Sequence, residues 1–152
     1  MYHHFPLRDD VIAAVYESEA AAAIARAADR MPEGATGYER LIAGCLAWLD
    51  EVSRPGARLI LIEDGPAVLG WRRCRQIEDR YSLERIRGEL QRASGSGETS
   101  PASIKVTARL VSALLGEAAL IMIDADDQTR VRAEIEAALR ALLSNPSSPS
   151  RT

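Results

Sequence analysis

Two histidines, two cysteines and one carboxylate inside an apolar run are the residues whose types could support chemistry beyond packing. His3 and His4 are neighbours, so their side chains do not share a face, and no third ligand stands at metal spacing. A metal site is therefore not expected. Cys45 and Cys74 match neither a zinc nor a disulfide pattern; both fall in helical patterning, where a buried thiol in a reducing compartment is the simplest reading. Catalysis would need a nucleophile with a base in reach, and the only histidines are adjacent and terminal. No enzyme and no cofactor is expected. Glu117 stands among Leu114, Leu115, Ala118 and Ile121, where a lone charge would be costly to bury. It needs either an arginine such as Arg72, Arg73 or Arg75, the commoner fate of a buried charge, or a polar ligand.

Arg72, Arg73, Arg75, Arg80, Arg85, Arg87 and Arg92 crowd one segment and suggest an anion patch. Glu78, Asp79, Glu84 and Glu89 interleave with them, which favours a solvated, salt-bridged helix. The net charge of −3 argues against binding nucleic acid over the general surface.

These side chains must be positioned by helices. Alanine, leucine, arginine and glutamate are abundant and aromatic residues make up 5%, which predicts an all-α fold. A first helix is expected over 9–30, opened by Asp9 and Asp10, with Val11, Ile12, Val15 and Tyr16 forming a buried stripe. Thr36-Gly37-Tyr38-Glu39 fits a capping box. From it Leu41, Cys45, Trp48, Leu49 and Val52 follow at helical spacing until Arg54-Pro55-Gly56. Leu59-Ile60-Leu61-Ile62 reads locally as strand or helix; with no partner strand in view, a short buried helix is expected. After a turn at Asp64-Gly65-Pro66, a long helix reaches Ala93, able to bend at Gly70 or Ser82. Ser94 to Thr99 is a linker. A fifth helix from Ser100-Pro101 to Asp124 is apolar on nearly every side, so one of its faces is expected at a subunit interface. Ser112 and Gly116 would let another helix approach. The sixth places Val131, Ile135, Ala138, Leu139 and Leu142 on one stripe. The run from Leu110 to Ile123 falls short of the ~20 residues that span a bilayer. With no signal peptide in view, a cytoplasmic protein is expected.

Tyr2-His3-His4-Phe5-Pro6-Leu7-Arg8-Asp9-Asp10 resembles the segment that closes the helix-turn-helix and opens the next helix in the tetracycline-repressor-like (TetR) family of transcriptional regulators. Leu7 and Arg8 depart mildly from the family's usual Ser and Lys. Glu63-Asp64-Gly65-Pro66-Ala67-Val68-Leu69-Gly70-Trp71 is similar to a segment in one subgroup of its sensor domains. The resemblance implies a C-terminal helical bundle of about six helices, the last two forming a four-helix dimer interface. It divides the chain into a helix-turn-helix remnant (1–8), a sensing and dimerising domain (9–144) and a disordered tail (145–152).

It further implies a homodimer, an effector that is a small molecule, and operator DNA bound only by an intact protein with its N-terminal head. Tyr2, His3 and Arg8 would contact DNA phosphates in that protein. The effector pocket would lie between the first, second, fourth and fifth helices, with Trp48, Trp71, Cys74, Tyr81, Leu114 and Glu117 on its wall. A tryptophan at helical spacing is more often core than pocket wall. Ser112, Gly116, Ile135, Leu139 and Leu142 would form the dimer interface. The alternative is a stand-alone dimeric binding module without DNA binding.

Overall fold

The computed structural model describes residues 4–35, 37–95 and 101–143, with only the backbone described at 4–6 and 101–102. Among these residues there is no strand, and the helices fall into six units. We label them α1 (His4–Asp29), α2 (Gly37–Val52), α3 (residues 55–69), α4 (Trp71–Ala93), α5 (Pro101–Asp124) and α6 (Gln128–Leu143). Thr36 and its capping box, most of the 94–99 linker and the 145–152 tail lie outside the described residues.

Helix α1 starts earlier than the acidic pair predicts: it runs from His4, with Pro6 in the first turn, where a missing amide costs nothing. The predicted buried stripe splits. Tyr16 is fully buried, whereas Val11 and Val15 are 63% and 49% exposed. Further along, Ala20, Ala23 and Ala27 are buried, and their small side chains let α1 lie close against α2. Helix α2 is the hub of the bundle and touches α1, α4, α5 and α6. Its Leu41, Ile42, Cys45, Leu46, Leu49 and Val52 are all buried.

The apolar run after Pro55 is helical, and the turn expected at Asp64-Gly65-Pro66 is absent. Instead α3 is continuous, with an α-helical start (Pro55–Arg58), a π-helical turn (Leu59–Asp64) and an α-helical end (Gly65–Leu69). The Gly65 amide donates to the Ile60 carbonyl across that wide turn. A Cβ at Gly65 would sit 2.4 Å from the Tyr16 ring, so glycine alone lets α3 pass over α1. Gly70, at φ 78°, breaks the helix fully where a bend was expected, since its backbone lies in a region that suits glycine.

Helix α5 packs on α4, and Ile104, Ala108, Val111, Ala118, Ala119 and Met122 are buried. Contrary to the sequence reading, Ser103–Asp124 is long and apolar enough to cross a membrane, with mean hydropathy 1.8. The buried side of this helix is accounted for by the bundle. Asp127 opens α6, its carboxylate accepting the Arg130 amide at 3.0 Å, as an N-cap should. Arg132 then forks onto Asp50 of α2 at 2.7 and 2.9 Å.

Candidate effector cavity

A cavity of about 80 Å³ opens among α1, α2, α4 and α5. A single water needs ~10–15 Å³ on the same measure, so there is room for a small organic molecule. Three walls are largely apolar: Ile24, Ala27 and Ala28 of α1 with Met31 just beyond it, Leu41, Cys45 and Trp48 of α2, and Leu115 of α5. Gly44 contributes bare backbone, and a Cβ there would lie 3.2 Å from the Met31 sulfur. The thioether therefore rests against α2 where any larger residue would displace it.

The fourth wall is different. Helix α4 turns Glu78, Ser82, Arg85, Ile86 and Glu89 to the cavity. Glu78, Ser82, Arg85 and Glu89 are spaced i, i+4, i+7 and i+11, which puts them on one helical face. Glu89 is committed: Arg40 of α2 reaches it at 3.2 Å and Arg92 at 2.9 Å. Glu78 accepts the Tyr16 hydroxyl at 2.7 Å, and no cation lies within ion-pair distance of it among the described residues. Burial pushes its carboxyl pKa up; the Tyr16 hydrogen bond and the Arg75 charge oppose this, while Asp79 adds to it. The same burial and the Glu78 charge push the Tyr16 phenol far up, so the phenol keeps its proton and remains the donor. Ser82 donates to the Glu78 carbonyl oxygen at 3.1 Å, and Ser112 of α5 donates to Asp79 at 2.9 Å. Burial raises the Cys45 thiol pKa to about 12, which makes it an apolar wall atom and not a nucleophile.

Of the residues expected on the pocket wall, only Trp48 lines this cavity. Cys74 is fully buried in the core one turn before Glu78. Trp71 is 46% exposed because Gly70 ends α3 immediately before it. The Tyr81 hydroxyl is directed to Glu17 of α1, at 2.6 Å. Leu114 points outward, and its neighbour Leu115 faces in. Glu117 is exposed in the protomer, correcting the expectation of a buried carboxylate; among the described residues it makes no ion pair.

The residues expected at the interface also divide. Ile135 and Leu139 are 9% and 3% exposed, because α6 turns them inward against the bundle, and a partner cannot reach them. Ser112 is engaged with Asp79 on the cavity side, and Gly116 lies beside the Arg75 guanidinium. Leu142 is 64% exposed. Tyr2 and His3 lie outside the described residues, and Arg8 is exposed. Among the described residues, no group of three or more His, Cys, Asp or Glu could hold a metal ion.

The family model described as "Tetracyclin repressor-like, C-terminal domain" matches residues 38–146, the span from α2 onward. No curated protein matches the chain.

Proposed function

The chain belongs to the tetracyclin repressor-like C-terminal domain family, and from that premise we propose that it is the effector-binding and dimerising part of a TetR-type transcriptional regulator. The observation that carries this reading is the cavity between α1, α2, α4 and α5, apolar on three sides and polar along α4. Such a lining suits a small molecule that is mostly hydrophobic and oriented by a few polar groups. In the intact cytoplasmic protein the effector favours one arrangement of α1 against α4 and thereby releases operator DNA, as a repressor requires. The neutral Cys45 thiol fits a binding site and not a catalytic one.

Dimerisation belongs to the same reading. Val106, Leu110, Leu114 and Ile121 of α5 are 39–60% exposed, and Leu142 of α6 is 64% exposed. At i, i+4, i+8 and i+15 the α5 residues form one stripe. An apolar stripe of this kind suits a second copy of the chain, with the last two helices of each protomer making a four-helix interface.

The test is a thermal-shift screen of small apolar molecules on the wild type and on Ala28→Trp, which fills the cavity from α1. Ligands that stabilise the wild type alone, and that release operator DNA from the intact protein, are expected. Ligands that stabilise both forms equally would remove the cavity from the function. Ligands specific to the cavity that leave DNA affinity unchanged would favour a stand-alone binding module.

A further inference from the structure

Glu78 is the one acidic side chain on the cavity wall without a cationic partner among the described residues. Glu89, three turns along the same face, has Arg40 and Arg92. Glu51, the other buried carboxylate outside the cavity, has Arg26 at 2.7 Å and Arg54 at 3.2 Å. The two buried carboxylates, Glu51 and Glu89, are thus answered by arginines, whereas the half-buried Glu78 on the cavity wall is not. Among the described residues its carboxylate accepts one hydrogen bond, from the Tyr16 phenol, and a phenol offers no compensating charge. Arg75 and Asp79 are the charged neighbours that act on it, and they oppose each other.

The polar groups around Glu78 share one property. The Ser82 hydroxyl has its proton engaged with the Glu78 carbonyl, and the Ser112 hydroxyl has its proton engaged with Asp79. Both therefore present lone pairs, not protons, to the cavity they line. Glu78 presents a carboxylate oxygen. This end of the cavity is a set of acceptors without a donor. Trp48 of α2 adds an aromatic ring to the same lining, and ring faces attract cations. Arg85 is the only cation on the wall, but it is exposed and two turns along α4 from Glu78, a separation of ~10 Å. Among the described residues it makes no ion pair with Glu78, and it is not among the charges that act on that carboxyl.

Resting on the effector-cavity reading above, we propose that Glu78 is the specificity-determining residue of the cavity and that its occupant is a small apolar molecule carrying a protonated amine. An ammonium brings three donors and one charge. It would answer Glu78, Ser82 and Ser112 together while its hydrocarbon part lies against Ile24, Leu41 and Leu115. A hydroxyl would satisfy one acceptor and leave the carboxylate without its counter-charge. A carboxylate would face Glu78 with the same sign.

The experiment uses hexylamine, 1-hexanol and hexanoate as probes, three molecules of similar length that differ in their polar end. Binding is read from Trp48 fluorescence in a Trp71→Phe background, where the exposed second tryptophan is silent, and by calorimetry. Hexylamine is expected to bind at least about tenfold tighter than either other probe, the difference a charged hydrogen bond makes. Glu78→Gln keeps an acceptor for Tyr16 and should fold. It is expected to abolish the amine preference while retaining hexanol binding.

A wild type that shows no amine preference, or a Glu78→Gln variant that keeps one, overturns the proposal. Tightest binding of hexanoate, lost in Arg85→Gln, overturns it in favour of an acidic effector. Equal binding of all three probes, abolished by Ala28→Trp, would remove the role of Glu78 while leaving the cavity standing. Failure of every probe to perturb Trp48 would remove both.

Discussion

Glu51, buried and paired with arginines, and Glu78, half-buried and without one among the described residues, should titrate with opposite consequences. Burial acts against the Glu51 charge, but hydrogen bonds from Arg26 and Arg54 outweigh it and hold the carboxyl below its ordinary 4.5. A group whose folded pKa is depressed contributes stability that is full above pH 4.5 and is lost as the pH falls through the folded value. Glu78 has its pKa raised, chiefly by burial. Its contribution is full below the ordinary value and is lost as the pH rises through the folded value. Urea unfolding of Glu51→Gln and Glu78→Gln across a pH series separates the two. Glu51→Gln should cost about 1–3 kcal/mol near neutrality, the range for orphaning a charged hydrogen-bond partner, and the cost should shrink on acidification. Glu78→Gln should match the wild type in acid and gain on it as the pH rises. Parallel stability curves for wild type and variants would show that neither carboxyl is perturbed as described.

At the scale of the element, α3 depends on a feature that local patterning does not carry. Leu59-Ile60-Leu61-Ile62 satisfies strand and helix templates alike, and the π-helical turn that it adopts is set by the crossing of Gly65 over Tyr16. Gly65→Ala would place a methyl group against the Tyr16 ring and the Ile60 carbonyl, both at 2.4 Å. We expect a loss of about 1–3 kcal/mol, typical of overpacking, seen as a lowered melting temperature. In a Tyr16→Ala background the cost should fall but not vanish, because the ring is removed while the Ile60 carbonyl stays 2.4 Å from the added carbon. An additive double mutant would place the strain elsewhere. Helix α2, by contrast, is legible throughout: Leu41, Cys45, Leu49 and Val52 sit at helical spacing and all are buried. Helix α5 was legible as a helix but not in its orientation. Being apolar on nearly all sides, it gives no sign of which face meets the bundle, and Leu114 and Glu117, inward by sequence pattern, point out. The polar stripe of α4 was present at i, i+4, i+7 spacing in Glu78, Ser82 and Arg85. It was hidden because the same segment alternates charges on every face.

For the whole molecule, the cavity and the proposed dimer interface are opposite sides of one helix. Ser112 and Leu115 of α5 line the cavity, while Leu110 and Leu114, at most a turn away, are 60% and 39% exposed. A ligand that changes how α5 rests on α4 therefore changes the surface offered to a second copy, which is the differential contact that coupling between sites requires. The interface half of this scheme can be tested without knowing the effector. Leu110 is solvent-exposed in the protomer, so Leu110→Glu should leave the fold intact while placing a charge at the centre of the apolar stripe. Light scattering after size exclusion should show a dimer for the wild type and a monomer for Leu110→Glu, with equal helix content by circular dichroism. Leu139→Ala supplies the contrast. Leu139 is buried within its own protomer, so this change should cost about 2–5 kcal/mol of stability and leave the dimer in place under native conditions. A wild type that is monomeric, or a Leu110→Glu variant that stays dimeric at the same concentration, would move the interface off α5. Without α5 at the interface, the route from the cavity to a paired regulator would have to run through α1 instead.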